Sequence, residues 1–292
     1  MNLTARLDDP NMEAFASIVD PLAYKERLAT LPLLVVDGGM DEFFLPDDQR
    51  FWWTGADAGD VLTDKHLLMA PNTEHSFATG ILEALPAMAA WVNAHLHGFA
   101  TPAPTWTIEE GPEGGTIAVQ VVTGSGGSGS GGSGGGGSSS GSEEPPAVKE
   151  VAVWAATSCA KEPRRDFRVL TADDPCPCGV ISQGQCVNAA VVWHKTPLNA
   201  TSTATTTTTN TSKTTAMTTA TTTTTTTYVA TVAAPPEGQW TAFFVDLIYE
   251  SLELGWPVGR PGEMEFTTEV SIVPNAFPYS PCEGTDCKGT IV

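Results

Sequence analysis

Residues 31–53 read LPLLVVDGGMDEFFLPDDQRFWW. Leu33, Leu34, Val35 and Val36, with Leu31 ahead of the proline, form an apolar run without alternation that stops at Gly38-Gly39. A strand covered on both faces has this pattern, and such strands belong to parallel sheets. The run hands Asp41 to a turn just past its carboxyl end, where open α/β sheets build their sites. A second run, Lys65 to Ala70, hands Pro71-Asn72-Thr73-Glu74-His75 to the next such loop.

An acid after one strand and a histidine after the next is the order in which an α/β-hydrolase presents the last two members of a Ser, Asp, His triad. Asp41 is placed to orient one ring nitrogen of His75 so that the other faces a nucleophile. Asp37, nearer the strand, is the rival acid, and Asp41 has the simpler alternatives of capping its turn or pairing with Arg50. For His75 the alternative is an exposed loop histidine. No nucleophile accompanies the pair. The string Gly131-Gly132-Ser133-Gly134-Gly135 lies in a Gly/Ser coil without the strand and helix that strain a nucleophile elbow, and Ser17, the serine that precedes Asp41, has no flanking glycines.

Outward from this centre, Asn11 is placed to cap a helix through Ile18, and Asp20-Pro21 to open another through Leu28. Asp47 or Asp48 is placed to cap a short helix carrying Phe51, Trp52 and Trp53, the tryptophans as cover for the sheet. Ile81, Leu85, Met88, Val92 and Leu96 fall three and four apart and predict the apolar face of a helix ending at Gly98, with Pro86 kinking it or marking its first turn. His95 and His97 read as solvated residues near its carboxyl end.

From Thr101 the period becomes two. Thr116 to Val122, Lys149 to Ala155, Phe167 to Leu170, Ala189 to Trp193, Tyr228 to Val232, Trp240 to Tyr249 and Glu265 to Val273 predict seven short strands of an immunoglobulin- or fibronectin-like β-sandwich. Two inserts interrupt it: a Gly/Ser linker over 124–142 and a Thr-rich tract over 201–227, both expected to be disordered. The fold class expected is therefore α/β plus all-β, with residues 1–98 as the carboxyl-terminal part of an α/β-hydrolase-like domain and 101–292 as the sandwich.

A formal charge of -20 with only 14 basic residues argues against nucleic acid or an anionic membrane as partner. No apolar stretch reaches the ~20 residues of a membrane span. Six cysteines, all in the second half, and sequons at Asn2, Asn199 and Asn210 suggest an oxidising, secretory setting with possible N-glycosylation at Asn199 and Asn210. Cys282 and Cys287 are expected to pair with each other, while Cys159, Cys176, Cys178 and Cys186 have no pairing readable from spacing. The spacing of Cys176, Cys178 and Cys186 does not suit zinc, and no cofactor is implied. MNLTARLDDP has no signal-peptide core. The expectation that reconciles this with the cysteines is a truncated, extracellular protein whose leader lay upstream.

Several segments together resemble the PhoPQ-activated pathogenicity-related family: DPLAYKERL at 20–28, DEFFLPD at 41–47, PNTEH at 71–75, WAAT at 154–157, RDFR at 165–168, WTAFFV at 240–245 and FTTEV at 266–270. The resemblance implies an α/β-hydrolase-like domain followed by a β-rich one, and it sets the family's acid and histidine on Asp41 and His75. It further implies a Gly-x-Ser elbow upstream of residue 1. Arg165, Asp166 and Arg168 are motif positions for which structural ion pairing is expected. Two functions follow as expectations: a serine hydrolase acting on a small ester or amide, or a non-catalytic secreted protein that signals or binds a cell-surface protein.

Overall fold

The computed structural model describes residues 9–54, 60–124, 145–161, 163–173, 175–211, 218–250 and 263–278. The described residues are mostly β-sheet with few helices, and none of the sheets they form is closed.

It opens with helix α1 (Pro10–Val19), capped by Asp9, whose carboxylate accepts from the Asn11 amide. The cap is thus two residues earlier than Asn11, because Pro10 suits the first helical position. Asp20 caps the next segment by accepting from the Leu22 amide. That segment starts as a 3-10 turn, Pro21–Tyr24, and continues as α2 (Lys25–Leu28).

Strands β1 (Leu33–Gly38) and β2 (Lys65–Ala70) then pair in parallel, Leu33 beside Lys65 through Gly38 beside Ala70. Between them a 3-10 turn spans Asp48–Phe51 without a side-chain cap from Asp47. Of its aromatic neighbours Trp53 is buried and stacks on Trp106, whereas Phe51 is exposed. Helix α3 (Ile81–His97) follows β2, runs through Pro86 and ends at Gly98 in the left-handed region, φ 72°.

The sequence periodicity of α3 identifies the wrong face. Ala84, Ala87, Ala90 and Ala94 are its buried residues, and Ile81, Leu85, Met88, Val92 and Leu96 are exposed. Alanine lets the helix sit close on β1 and β2, where Leu68 packs with Ala84 and Ala87 against Leu34 and Val36. The larger side chains point away from that contact.

Two antiparallel sheets dominate the remainder. One has the order β10-β11-β4-β3, made of β3 (Thr105–Gly111), β4 (Gly114–Thr123), β10 (Ala200–Thr211) and β11 (Thr218–Ala233). The other has the order β13-β12-β5-β9, from β5 (Val148–Thr157), β9 (His194–Pro197), β12 (Thr241–Tyr249) and β13 (Glu265–Thr267), with β14 (Ser271–Val273) also on β12. Ile117, Val119, Val121 and Ala230 of the first share one core with Val151, Phe243, Val245 and Leu247 of the second. β12 is buried on both faces. Its alternate residues Ala242 and Phe244 join a second core with Met40, Met69, Trp193 and Trp240, so the loops after β1 and β2 rest against its back.

A small sheet of β6 (Leu170–Thr171), β8 (Gln185–Asn188) and β7 (Gly179–Ser182) completes the described fold, tied by disulfides Cys159–Cys178 and Cys176–Cys186. The expected Cys282–Cys287 bridge lies outside the described residues, as does nearly all of the Gly/Ser linker.

Three further expectations need correction. The Thr-rich tract is not a disordered insert where it is described: Ala200–Thr211 and Thr218–Ala233 pair antiparallel, from Ala200 beside Tyr228 to Thr211 beside Thr218, with one register shift between Ala200 and Ser202. β-Branched threonine favours extended backbone. The strand is anchored where Ala230 is buried against β4, and Thr205 and Thr207 meet Thr224 and Thr222 across the pair through hydroxyl contacts of 3.3 Å. Ala189 to Trp193 is a turn, not a strand, its last residue paired to a side chain as described below. Glu265 to Val273 is two strands, because the Thr268 hydroxyl takes over the bond to the Val245 amide at 3.0 Å where the ladder breaks.

Candidate functional site

The parallel pairing of β1 and β2 puts their two following loops side by side, and the glycines ending β1 are required by closeness. A Cβ at Gly38 would stand 2.6 Å from the Thr73 carbonyl oxygen, and one at Gly39 2.9 Å from the Trp193 indole nitrogen. Gly39 donates to Ala70 O at 2.9 Å and Met40 to Thr73 O at 3.0 Å, so the two loops are stitched through their backbones.

Asp41 emerges from this junction, 6% exposed. One carboxylate oxygen accepts from the amides of Phe43 (2.6 Å) and Phe44 (3.0 Å), which folds the DEFF segment back on itself. The other oxygen stands 2.9 Å from Nδ1 of His75. The structure therefore brings the two sequence-predicted site residues together. Because a carboxylate can only accept, Nδ1 carries the proton and Nε2 of the neutral ring keeps its lone pair. Phe43 meets the imidazole edge-on at 4.5 Å, and Phe44 lies 5.7 Å away. The His75 side chain is 45% exposed, with Nδ1 held by Asp41.

Asp37, the rival acid, turns elsewhere and accepts from the Gln49 amide at 3.1 Å. Burial pushes its carboxyl above the ordinary range, the Gln49 bond opposes this, and the Asp41 charge adds to it. Asp48 lies in the same acidic neighbourhood. Burial, with the charges of Asp37, Asp47 and Asp41, raises its carboxyl to about 7.

Several residues that set this geometry carried no sequence signal as site residues. Glu42 accepts from the His75 amide at 3.0 Å, fixing the histidine's backbone to the opposite loop. Asn72, at φ 54°, pairs through its side-chain amide with Trp193, accepting from the Trp193 amide at 2.7 Å and donating to its carbonyl at 3.0 Å. The Trp193 indole in turn donates to Gly39 O at 3.1 Å. One buried tryptophan thus joins both loops, but it lies more than 110 residues along the chain from either. Glu74 accepts from the Ser76 and Thr79 hydroxyls and the Ala78 amide. Burial alone would raise its carboxyl, but these bonds hold it at about 2.

The RDFR segment supplies ion pairs, as expected. Arg165 grips Asp47 through both terminal nitrogens, one at 3.1 Å, with both side chains almost fully buried. Arg168 pairs with Asp166. Asn199 is exposed ahead of β10, and Asn210 is a residue of β10. Among the described residues, no group of three or more His, Cys, Asp and Glu side chains is arranged to hold a metal ion, and no helix is long and apolar enough to cross a membrane.

Residues 1–127 match the family model described as PhoPQ-activated pathogenicity-related protein. This chain is related to that family. Over 285 residues it is also 28% identical to autocrine proliferation repressor protein A of Dictyostelium discoideum, a match covering 97% of this chain and 46% of the relative. The chain spans about half the length of the curated relative it matches. No solved structure matches. The DEFF and PNTEH segments, and hence Asp41 and His75, fall within the matched residues of the PhoPQ-related family.

Proposed function

We propose that this chain carries the acid and base of a hydrolase site, with Asp41 orienting His75 to take a proton during attack on an ester or amide. The observation that carries the reading is the 2.9 Å contact between Asp41 Oδ2 and His75 Nδ1, made by loops that follow two adjacent parallel strands. Asp41 selects the tautomer and stabilises the imidazolium formed on proton uptake, and Nε2 does the chemistry. Among the described residues no hydroxyl or thiol is bonded to Nε2, so the attacking group is water or a nucleophile from outside them. Parallel strands bearing this pair support reading residues 1–98 as α/β-hydrolase-like. Two sheets sharing a core support an immunoglobulin- or fibronectin-like sandwich over 101–292.

Hydrolysis of p-nitrophenyl acetate tests this. The wild-type chain is expected to exceed the buffer rate, His75→Ala to fall to it, and Asp41→Asn to lose ~100-fold or more of the excess, as loss of the correct tautomer does elsewhere. A rate unchanged by His75→Ala in folded protein would overturn the reading.

A second reading is favoured by the match to the proliferation repressor, which runs over almost the whole chain. The protein then acts outside the cell as a signal or surface ligand, and two disulfides support that location. Binding to a cell-surface protein that is identical for wild type and His75→Ala, with no esterase excess, would favour it.

A further inference from the structure

A cavity of about 550 Å³ lies where the 47–54 turn, β3 and the segment after β13 converge. Its size is that of a small-ligand site, and junctions between structural layers are where such sites form. The residues that matter are Trp106, Glu110, Glu269, Arg50 and Asn275, over a floor that includes Ile108.

These side chains are held by the fold. The Trp106 indole donates to Glu269 Oε2 at 3.1 Å, and its ring is stacked on Trp53. The Ser271 hydroxyl donates to Glu110 Oε1 at 2.7 Å. Each carboxylate therefore has one oxygen tied to the wall, and among the described residues the other oxygen has no hydrogen-bond partner. Glu269 is 9% exposed, yet its second oxygen is not cut off from solvent and so is free to meet a ligand. Arg50 is braced by Asp47 and lies against the Phe277 ring.

The composition discriminates among ligand classes. Three carboxylates, Asp47, Glu110 and Glu269, against the one guanidinium of Arg50 disfavour an anion. A cation is poorly served, because the protein's own cations already face these carboxylates: Arg50 and Arg165 pair with Asp47, and the Lys65 charge acts on Glu269. A purely apolar ligand would leave Glu110 and Glu269 dry. What remains is an uncharged ring that donates and accepts many hydrogen bonds and has an apolar face.

We propose that this cavity is a saccharide-binding site. Ring hydroxyls donate to the unbonded oxygens of Glu110 and Glu269 and accept from Arg50 and Asn275, and the C–H face of the sugar lies on Trp106. The site is distinct from the Asp41–His75 pair and does not depend on its chemistry.

Saturation-transfer NMR on the intact chain tests it, with methyl glycosides of glucose, galactose, mannose and N-acetylglucosamine as probes and lysine methyl ester as the cationic comparison. At least one glycoside is expected to bind in the millimolar range with transfer strongest at its ring C–H protons. Binding should weaken at least tenfold in Glu110→Gln and in Arg50→Gln. Both changes lie at the cavity rim, and retained circular dichroism would show that each variant is folded. Transfer to none of the glycosides, binding of lysine methyl ester in their place, or glycoside binding unchanged in both folded variants would each overturn the proposal.

Discussion

β12 and α3 bury their apolar residues in opposite ways. β12 is covered on both faces, Phe243 in one core and Phe244 in another, so almost nothing it carries meets water. α3 fully buries only alanines, with Trp91 half-buried against the core, and leaves Ile81, Leu82, Leu85, Met88, Val92 and Leu96 exposed, Leu82 at 87%. α1 has no buried residue at all. Stability is thus concentrated in the β layers, buried β2 among them, and the thinly covered elements are the helices beside the candidate site. The site is held by the core that Met40 and Met69 join and by a few specific ties, Trp193 to Asn72 and Gly39, and Arg165 to Asp47.

The sharpest way to break this comparison is to truncate one large side chain in each region. Phe243→Ala opens a cavity beneath both sheets and is expected to cost about 3–5 kcal/mol. Leu82→Ala, removing an exposed group of similar character, is expected to stay within about 0.5 kcal/mol. Urea denaturation of both variants measures the difference. Equal losses would mean that α3 is covered in solution by a second copy or another polypeptide.

Arg165→Ala attacks a tie instead of a core. It leaves Asp47 buried with only the partly exposed Arg50 near it, and breaking a buried pair in this way costs ~3 kcal/mol or more. Arg165→Lys should recover little, since a single ammonium cannot replace the two-nitrogen grip. If the 41–53 loop is positioned by this tie, the variant also loses the His75 esterase excess more completely than its stability loss explains. A folded Arg165→Ala protein with full activity would show that the loop is held by its backbone stitching alone.

The same contrast explains what could be read from the sequence. Unbroken apolar runs ended by Gly-Gly and by Pro-Asn marked β1 and β2, and because the site hangs directly from their ends, Asp41 and His75 were legible. The limits of α3 were legible too, because Gly98 stops it. Its buried face was not: periodicity finds the largest apolar stripe, but the helix packs where its side chains are smallest. Composition misled in the Thr tract, where low apolar content hid a strong extended preference anchored at Ala230. The long-range ties were invisible, since nothing in Asn72 or Trp193 announces a partner more than 100 residues away.

The smallest expected effect distinguishes two carboxylates within the site itself. Asp48 binds its proton up to about pH 7 when folded, against an ordinary value of 3.8. Between those values the folded protein therefore carries more bound protons than the unfolded chain, and its stability falls as pH rises through the window. Glu74 has the opposite sign. Held at about 2, it contributes stability that is present above its ordinary 4.5 and is lost as pH falls toward 2. Asp48→Asn removes the first effect and leaves the second. Its urea midpoint should decline less than that of the wild type between pH 4 and 7, by an amount on the order of 1 kcal/mol for a carboxylate partly screened by solvent, and the two proteins should fall in parallel below pH 4. Identical slopes from pH 4 to 7 would mean that Asp48 is ionised and hydrated in the folded protein. The acidic turn beside Asp41 would then be as open to water as the face of α3.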